Sequence, residues 1–205
     1  ACTMATCMPL ASGVPPPPGR SASDFLAQPG LLGPLLAGLG RNLPDIKAVL
    51  VVSPHWQTGG VRVMTSAAPQ TVHDFGGFPA PLYALQYPAA GQPQLAEAAA
   101  SLLTDAGFPV AFDGQRGLDH GAWTPLRQMF PDADIPIVPL SVQSLLGPAH
   151  ALRVGQALAP LTEQNILIVA SGNVTHNLRD FMTVSMQGGA TPAYVQAFAD
   201  WVHTH

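Results

Sequence analysis

The sequence predicts an α/β fold, a three-layer sandwich in which helices cover both faces of a mostly parallel, mixed sheet. Apolar runs at 46–52 and 166–169 are short and rich in β-branched residues, which is typical of strands buried on both faces. Between them, leucine and alanine residues recur at helical spacing over 95–106. Strands that alternate with helices indicate a parallel sheet, and 205 residues suit one domain over 1–205.

The first half of the chain supplies two expected strands and two expected helices. A leucine-rich segment at 30–40 predicts a helix that its prolines keep short or kinked. Strands are expected at 46–52 and at 61–64. The helix at 95–106 ends at Gly107, which occupies the position after a helix where a left-handed backbone is common.

The second half continues this alternation. A short strand is expected at 110–112, followed by a helix over 123–130 whose large apolar side chains share one face. The apolar run at 135–142 predicts a further strand. Because it contains Pro136 and Pro139, we expect that strand to lie at an edge of the sheet or to contain a bulge.

Three elements complete the expected order. A weaker helix at 148–160 precedes the strand at 166–169. Thr191 and Pro192 supply the N-cap and the first residue of a final helix. Three aromatic residues are expected to share one face of that helix: Tyr194, Phe198 and Trp201.

Composition excludes several classes of protein. Hydrophobic residues make up 47% of the chain and charged residues 10%, which argues against intrinsic disorder. The net charge of -4 and the single lysine, Lys47, argue against a nucleic-acid partner. No apolar run approaches the roughly 20 residues that cross a bilayer, so no membrane partner is expected. The cysteines, Cys2 and Cys7, lie far from the predicted core, and a reducing, cytoplasmic location is the expectation.

Two histidines are expected where parallel strands end, at the edge where α/β sheets bind ligands. His55 follows the strand at 46–52, and His176 follows the strand at 166–169. Imidazole titrates near neutral pH and binds iron or zinc, so both residues are candidate metal ligands or acid–base groups. For each, an ordinary loop histidine bonded to the backbone is an equally open alternative.

Two further segments carry candidate groups. His120 precedes the helix at 123–130, and a helix N-terminus disfavours protonated imidazole, which suits a neutral donor or base. The segment 73–79 combines a histidine and an aspartate with two aromatic residues and a Gly-Gly pair. Such a loop is suited to close over an aromatic substrate. The alternatives are a capping turn at His120 and a plain surface turn at 73–79.

Other catalytic signatures are absent from the sequence. It contains no GxSxG motif, no P-loop, no HExxH motif and no GxGxxG after an expected strand. Both cysteines lie outside the predicted βα core, which argues against a cysteine nucleophile. Acidic residues number only 12, and none has a spacing that indicates a hydrolytic carboxylate pair.

Five short segments, taken together, carry a family resemblance. They are Ser-Pro-His-Trp at 53–56, Thr-Val-His-Asp-Phe-Gly-Gly-Phe-Pro at 71–79, Tyr-Pro-Ala at 87–89, Asp-His-Gly-Ala-Trp at 119–123 and Ser-Gly-Asn-Val-Thr-His-Asn-Leu at 171–178. In this order they resemble the DODA-type class III extradiol ring-cleavage dioxygenases, the 4,5-DOPA dioxygenase family. That family is related to the catalytic subunit of protocatechuate 4,5-dioxygenase.

The resemblance implies an enzyme with a mononuclear non-haem metal, Fe(II) or zinc, that opens a catechol such as DOPA with O2 to give a semialdehyde. In the family, the histidine that matches His55 is a metal ligand. The histidine that matches His176 is described as a ligand or as the acid–base residue. His120 is the second catalytic residue implied. The implied substrate-side residues are Trp56, His73, Asp74 and Phe75.

The resemblance is incomplete at both ends. Relatives carry a His-Gly-Ser-Pro motif soon after their first strand, where residues 8–15 of this chain contain no histidine. They also carry a C-terminal Pro-Glu-His segment without a counterpart here. Both supply further ligands in the family, so we expect this chain to be incomplete at these two places. Two other functions stay open: a non-catalytic homologue that keeps the scaffold and an aromatic-binding pocket, and metal-assisted hydrolysis in a similar crevice.

Overall fold

The computed structural model describes residues 2–3, 32–76, 80–172, 175, 177, 179–180, 183 and 190–204. The strands are β1 (Cys2–Thr3), β2 (Ala48–Gln57), β3 (Val61–Met64), β4 (Val110–Asp113), β5 (Ile137–Val142) and β6 (Ile166–Ala170). The helices are α1 (Leu32–Asn42), α2 (Ala80–Tyr83), α3 (Pro93–Asp105), α4 (His120–Met129), α5 (Gly147–Leu158) and α6 (Ala193–Thr204). Two 3₁₀ helices, Ser144–Leu146 and Ala159–Gln164, flank α5.

The strands form one sheet in the order β1-β6-β2-β5-β3-β4. Neighbouring strands in the described part of the chain are parallel, except that β3 and β5 are antiparallel. The antiparallel contact is a single residue pair, Val63 with Leu140. The predicted mostly parallel, mixed sheet is therefore confirmed.

Helices cover both faces of this sheet. Successive residues of a strand point to opposite faces. Ala48 and Leu50 of β2 pack in one hydrophobic cluster with α3 and α5, whereas Val49 and Val51 pack in a second cluster with α1 and α4. All four side chains are fully buried, which explains why this part of β2 is continuously apolar. The three-layer α/β sandwich is confirmed.

Helix α3 confirms the helix expected at 95–106. It begins at Pro93, whose fixed φ is suited to the first turn of a helix. Leu95, Ala99 and Leu103 lie on the buried face. The helix ends before Gly107, whose φ of 84° lies in the left-handed region that glycine adopts without steric cost.

Strand β5 corrects one prediction. Pro136 and Pro139 predicted an edge strand or a bulge. The edge position is wrong, because β5 lies inside the sheet between β2 and β3, whereas the pairing of β5 with β2 is irregular beyond Leu140. The carbonyl of Pro136 accepts a hydrogen bond from the N–H of Val49 in β2. Because backbone direction alternates along a strand, Pro139, three residues later, points its backbone toward β3. The pairing there is a single residue pair, so the missing N–H of Pro139 interrupts no regular ladder.

Strand β2 is longer than the predicted strand at 46–52 and ends at Gln57. Its register against β5 is irregular between Val52 and Gln57. His55 therefore lies within the irregular end of the strand, where the sequence predicted a loop after the strand. Such an irregular end redirects side chains locally, as bulges beside active sites do.

Helix α6 begins at Ala193, one residue after Pro192, which the sequence predicted as the first helical residue. A difference of one residue lies within the usual spread of assigned helix ends. None of its described side chains is buried, and the rings of Phe198 and Trp201 stack with centroids 5.8 Å apart. Among the helices that the structure describes, none has the length and apolar character to cross a membrane.

Candidate metal and acid–base site

Three side chains from separate segments meet near the end of β2. His55 lies in β2, Asp74 lies in the connection between β3 and α2, and His120 is the first residue of α4. Each offers one atom that can bind a metal ion, and these atoms lie within 4.8 Å of one another. In α/β folds, ligands bind at the edge of the sheet where the parallel strands have their carboxyl ends.

The N-terminus of α4 fixes the position of His120. Asp119 is the N-cap, and its side chain accepts a hydrogen bond from the main-chain N–H of Ala122 at 3.2 Å. As the first helical residue, His120 has a main-chain N–H without a partner inside the helix. That N–H donates to Oδ1 of Asp74 at 2.8 Å.

Asp119 also anchors α4 to the sheet. Its carboxylate is buried and accepts hydrogen bonds from the hydroxyl of Ser53 and from the guanidinium of Arg116, both at 2.5 Å. The Arg116 guanidinium in turn lies 5.2 Å from the centre of the Trp56 ring, a cation–π distance. Breaking a buried ion pair leaves an uncompensated charge, which is strongly destabilising. The start of α4 is thus fixed to Ser53 and Trp56, the two β2 residues that flank Pro54 and His55.

Gly121 allows α4 to approach β2 closely. A Cβ at this position would overlap the hydroxyl oxygen of Ser53 and lie 3.0 Å from Cδ2 of His55. The carbonyl of Gly121 accepts a hydrogen bond from the hydroxyl of Ser171 at 2.5 Å, and Ser171 directly follows β6. The ends of β2 and β6 therefore converge on the first turn of α4.

Asp74 contacts both imidazole rings. Its Oδ1 lies 2.8 Å from Nδ1 of His120, and its Oδ2 lies 3.4 Å from Nδ1 of His55. The two ring centroids are 4.0 Å apart, with the planes tilted by 54°. One carboxylate thus faces the same ring nitrogen of each histidine.

The carboxyl group of Asp74 stays ionised at neutral pH. Burial alone would raise its pKa, but the hydrogen bonds from the ring and the main chain of His120 outweigh burial and lower the pKa to about 2. A negative charge between two imidazoles stabilises a positive charge on either ring.

The Nε2 atom of His120 is buried and has no hydrogen-bond partner among the residues that the structure describes. When Nδ1–H of His120 donates a hydrogen bond to Asp74, Nε2 carries the lone pair of the neutral ring. A buried nitrogen without a partner is costly unless a ligand satisfies it. Imidazole is a ligand for Fe(II) and zinc, and the exposed ring of His55 lies in the same cluster, so the described residues fit a mononuclear metal centre.

Aromatic rings line one side of this cluster. The Phe75 ring meets the His120 ring edge-to-face, with centroids 5.6 Å apart. The His73 ring packs against Phe75 and Trp123, and its Nε2 lies 2.8 Å from the carbonyl oxygen of Leu85. Tyr83 of α2 packs on Phe75 at 5.2 Å. The rings of Phe75, His73, Trp123 and Tyr83 thus form an aromatic wall beside His120.

The structure brings most of the sequence-predicted site residues together. His55, Asp74 and His120 form the cluster, and His73 and Phe75 belong to the aromatic wall. Trp56 is buried beneath Arg116, and a contact between Trp56 and substrate stays a prediction. His176 lies outside the described residues, as do residues 77–79 of the predicted loop.

Sequence reasoning missed two features of the site. It did not single out Tyr83, because one tyrosine after a proline-rich segment has no periodicity that assigns it a neighbour. It also did not predict that Asp74 contacts two histidines distant in sequence. The signal for that contact was present only as the Asp-His pair at 119–120 and the His-Asp pair at 73–74.

Comparisons with known proteins show the family of this chain. The model of one family, described as the catalytic LigB subunit of aromatic ring-opening dioxygenase, matches residues 39–200. The chain is 45% identical over 172 residues to 4,5-DOPA dioxygenase extradiol of Escherichia coli (strain K12), covering 80% of this chain and 62% of the relative. It is 46% identical over 159 residues to 4,5-DOPA dioxygenase extradiol of Beta vulgaris, covering 77% and 58%. The chain spans about three-fifths of the length of these relatives.

A solved structure gives the same result. The crystal structure of an uncharacterized protein from Escherichia coli K12 matches with a TM-score of 0.69 and 39% sequence identity, over 85% of this chain and 65% of that chain. The residues that the family model matches include His55, Asp74 and His120. The chain belongs to the family of the catalytic LigB subunit of aromatic ring-opening dioxygenases.

Proposed function

We propose that this chain carries the active centre of a metal-dependent extradiol dioxygenase, which cleaves a DOPA-like catechol with O2 to give a semialdehyde. The observation that supports this most directly is the buried Nε2 of His120, which lies beside His55 and Asp74 and has no hydrogen-bond partner within the described part of the chain. The names of the relatives in this family point to the same reaction. The expected partners are an aromatic diol and O2, and a cytoplasmic location stays a prediction from the sequence.

His55 is the proposed metal ligand among the described residues. It lies at the irregular end of β2, with about a third of its side chain exposed, so an ion can reach it from solvent. His176 is the second ligand expected from the family resemblance. A bound Fe(II) would supply Lewis acidity toward the catechol and redox chemistry toward O2. A bound zinc ion would supply only the Lewis acidity.

His120 is the proposed acid–base residue. With its Nδ1 proton held by Asp74, the neutral ring can accept a proton from a catechol hydroxyl at Nε2. The ionised carboxylate of Asp74 stabilises the imidazolium that forms, and the proton is available for return later in the reaction.

The aromatic wall is the proposed binding surface for the substrate ring. Phe75 and Tyr83 present apolar faces beside His120, and Tyr83 is more than a third exposed. Offset or edge-to-face contacts between aromatic rings would hold a catechol ring next to the histidine that receives its proton. His73 supports this wall through its contacts with Phe75 and Trp123.

Oxygen dependence tests this proposal. The 205-residue chain is loaded with Fe(II) under argon, mixed with DOPA and then exposed to air. We expect O2 uptake and a yellow semialdehyde only after air is admitted. A product formed without O2 would indicate hydrolysis, and an absence of both product and bound iron would favour a non-catalytic homologue. Either result would refute the proposed function for this 205-residue chain.

The variant His120→Gln separates acid–base catalysis from metal binding. It removes the basic nitrogen, and we expect turnover to fall about 100-fold or more while bound iron is retained. His203→Gln changes an exposed histidine of α6 and serves as the matched control with full turnover. Equal turnover in the two variants would exclude His120 as the acid–base residue.

A further inference from the structure

We propose that Asp74 is a positioning residue that sets the tautomer of two histidines at once, so that His55 and His120 both carry their lone pair on Nε2. This inference rests on the proposed function and deepens it, because it explains how one ring becomes a metal ligand and the other a base. It differs from the substrate contact that the sequence predicts for Asp74.

The tautomer of His120 follows from two hydrogen bonds to the same oxygen. Oδ1 of Asp74 accepts the main-chain N–H of His120 and also lies 2.8 Å from its Nδ1. An ionised carboxylate only accepts hydrogen bonds, so the proton of the neutral ring must lie on Nδ1. The lone pair is then on Nε2, the buried atom that no described residue contacts by a hydrogen bond.

The tautomer of His55 follows from the second oxygen. Oδ2 of Asp74 lies 3.4 Å from Nδ1 of His55, and a lone pair on that nitrogen would face a negative charge. A proton on Nδ1 removes this repulsion and leaves Nε2 of His55 as the basic nitrogen. Metal-binding histidines usually have this arrangement, in which the second ring nitrogen donates to a carboxylate.

The same contacts argue against Asp74 as a metal ligand. Oδ1 already accepts two hydrogen bonds, and Oδ2 faces His55. A metal ion bound by either oxygen would compete with the hydrogens that fix the two rings. Asp74 therefore acts through His55 and His120 and does not itself bind the metal.

The variant Asp74→Asn would separate the two contacts. The main-chain N–H of His120 requires an oxygen opposite it, so the amide oxygen would stay on His120 and the NH2 group would turn toward His55. An NH2 group donates, so Nδ1 of His55 would have to accept, and its proton would move to Nε2. We therefore expect the tautomer of His55 to switch and that of His120 to stay.

Nitrogen-15 NMR of the histidine rings measures this directly in the metal-free chain, at an alkaline pH beyond which the ring signals no longer shift. In the unchanged protein we expect both rings to carry the proton on Nδ1. In Asp74→Asn we expect only His55 to carry it on Nε2. A proton on Nε2 of either ring in the unchanged protein, or no change at His55 in the variant, would overturn the inference.

Zinc affinity, measured by calorimetry, is the second readout. Loss of the ligand-orienting carboxylate is expected to weaken zinc binding about 10–100-fold in Asp74→Asn. Asp105→Asn changes an exposed carboxylate at the end of α3 and is the control with unchanged affinity. Equal affinity in both variants would contradict the inference. Because neither readout needs turnover, a failure of the proposed ring cleavage is distinguishable from a failure of this inference.

Discussion

Tyr87 connects the segment that carries Asp74 to the helix that carries His120. Its main-chain N–H donates to the hydroxyl of Thr71 at 2.9 Å, three residues before Asp74. Its phenol is buried and donates to the carbonyl oxygen of Phe130, the C-cap of α4, at 2.9 Å. The carbonyl of Leu126 lies 3.2 Å from the same hydroxyl. Tyr87 thus links Thr71, which precedes Asp74 in the chain, to the C-terminal end of α4.

The phenol of Tyr87 makes stability sensitive to alkaline pH. Burial, and after it the negative charge of Asp134, raises the pKa of this phenol well above its ordinary value of 10.0. The unfolded chain ionises near the ordinary value and the folded chain does not. The stabilisation is therefore fully present below about pH 10 and is lost as the pH rises above it.

We expect Tyr87→Phe to remove this alkaline loss of stability. At pH 8 the variant should be less stable by about 1 kcal/mol, because the hydrogen bond from the phenol to the C-terminal end of α4 is lost. Between pH 9 and pH 11 the free energy of unfolding should fall less in the variant than in the unchanged protein. Urea denaturation at these pH values measures both effects, and parallel pH profiles for the two proteins would contradict this explanation.

Single residues also show why the site was only partly predictable. His55 and His120 could be identified from sequence because each stands beside a recognisable element, a buried strand or a helix N-terminus. Asp74 could not be assigned its partners, because its position depends on how the connection after β3 crosses the sheet. The buried pair of Asp119 and Arg116 likewise depends on the tertiary position of Ser53 and was not predicted.

At the scale of elements, the first turn of α4 packs closely against β2. A side chain at Gly121 would overlap Ser53 and press on His55. Gly155 in α5, by contrast, has open space where a Cβ would lie and no positive φ. The two glycines therefore form a matched pair of helical positions with opposite expected responses.

We expect Gly121→Ala to destabilise the protein by about 1–3 kcal/mol, because added volume forces neighbouring atoms to move. Gly155→Ala should stabilise it by about 0.5–1 kcal/mol, because alanine restricts the unfolded chain and favours a helix. Thermal and urea denaturation of both variants checks the difference. Equal effects of the two substitutions would show that α4 is not closely packed against β2.

Elements were predictable where their signals are local. The helical period and the terminal Pro93 and Gly107 belong to the sequence of α3 itself, so its prediction was confirmed. The position of β5 is different, because a strand is central or at an edge according to its neighbours. Pro139 is tolerated within β5 because the neighbouring β3 pairs with that strand at a single position, and Pro136 precedes the strand.

At the scale of the whole molecule, the topology explains why these residues meet. Strands β2 and β6 are parallel neighbours whose carboxyl ends lie at the same edge, and α4 begins there. The alternation of strands and helices predicted this edge and placed His55 on it. Local sequence could not predict that α4 and the connection after β3 return to the same edge, because those contacts join residues distant in the chain.

A zinc-loaded crystal tests the central claim most directly, because anomalous diffraction locates the metal ion independently of activity. We expect one zinc ion at about 2.0–2.1 Å from Nε2 of His55, with Asp74 bonded to the two imidazole rings and not to the metal. Zinc bound by the carboxylate of Asp74, or zinc bound away from His55, would contradict the account.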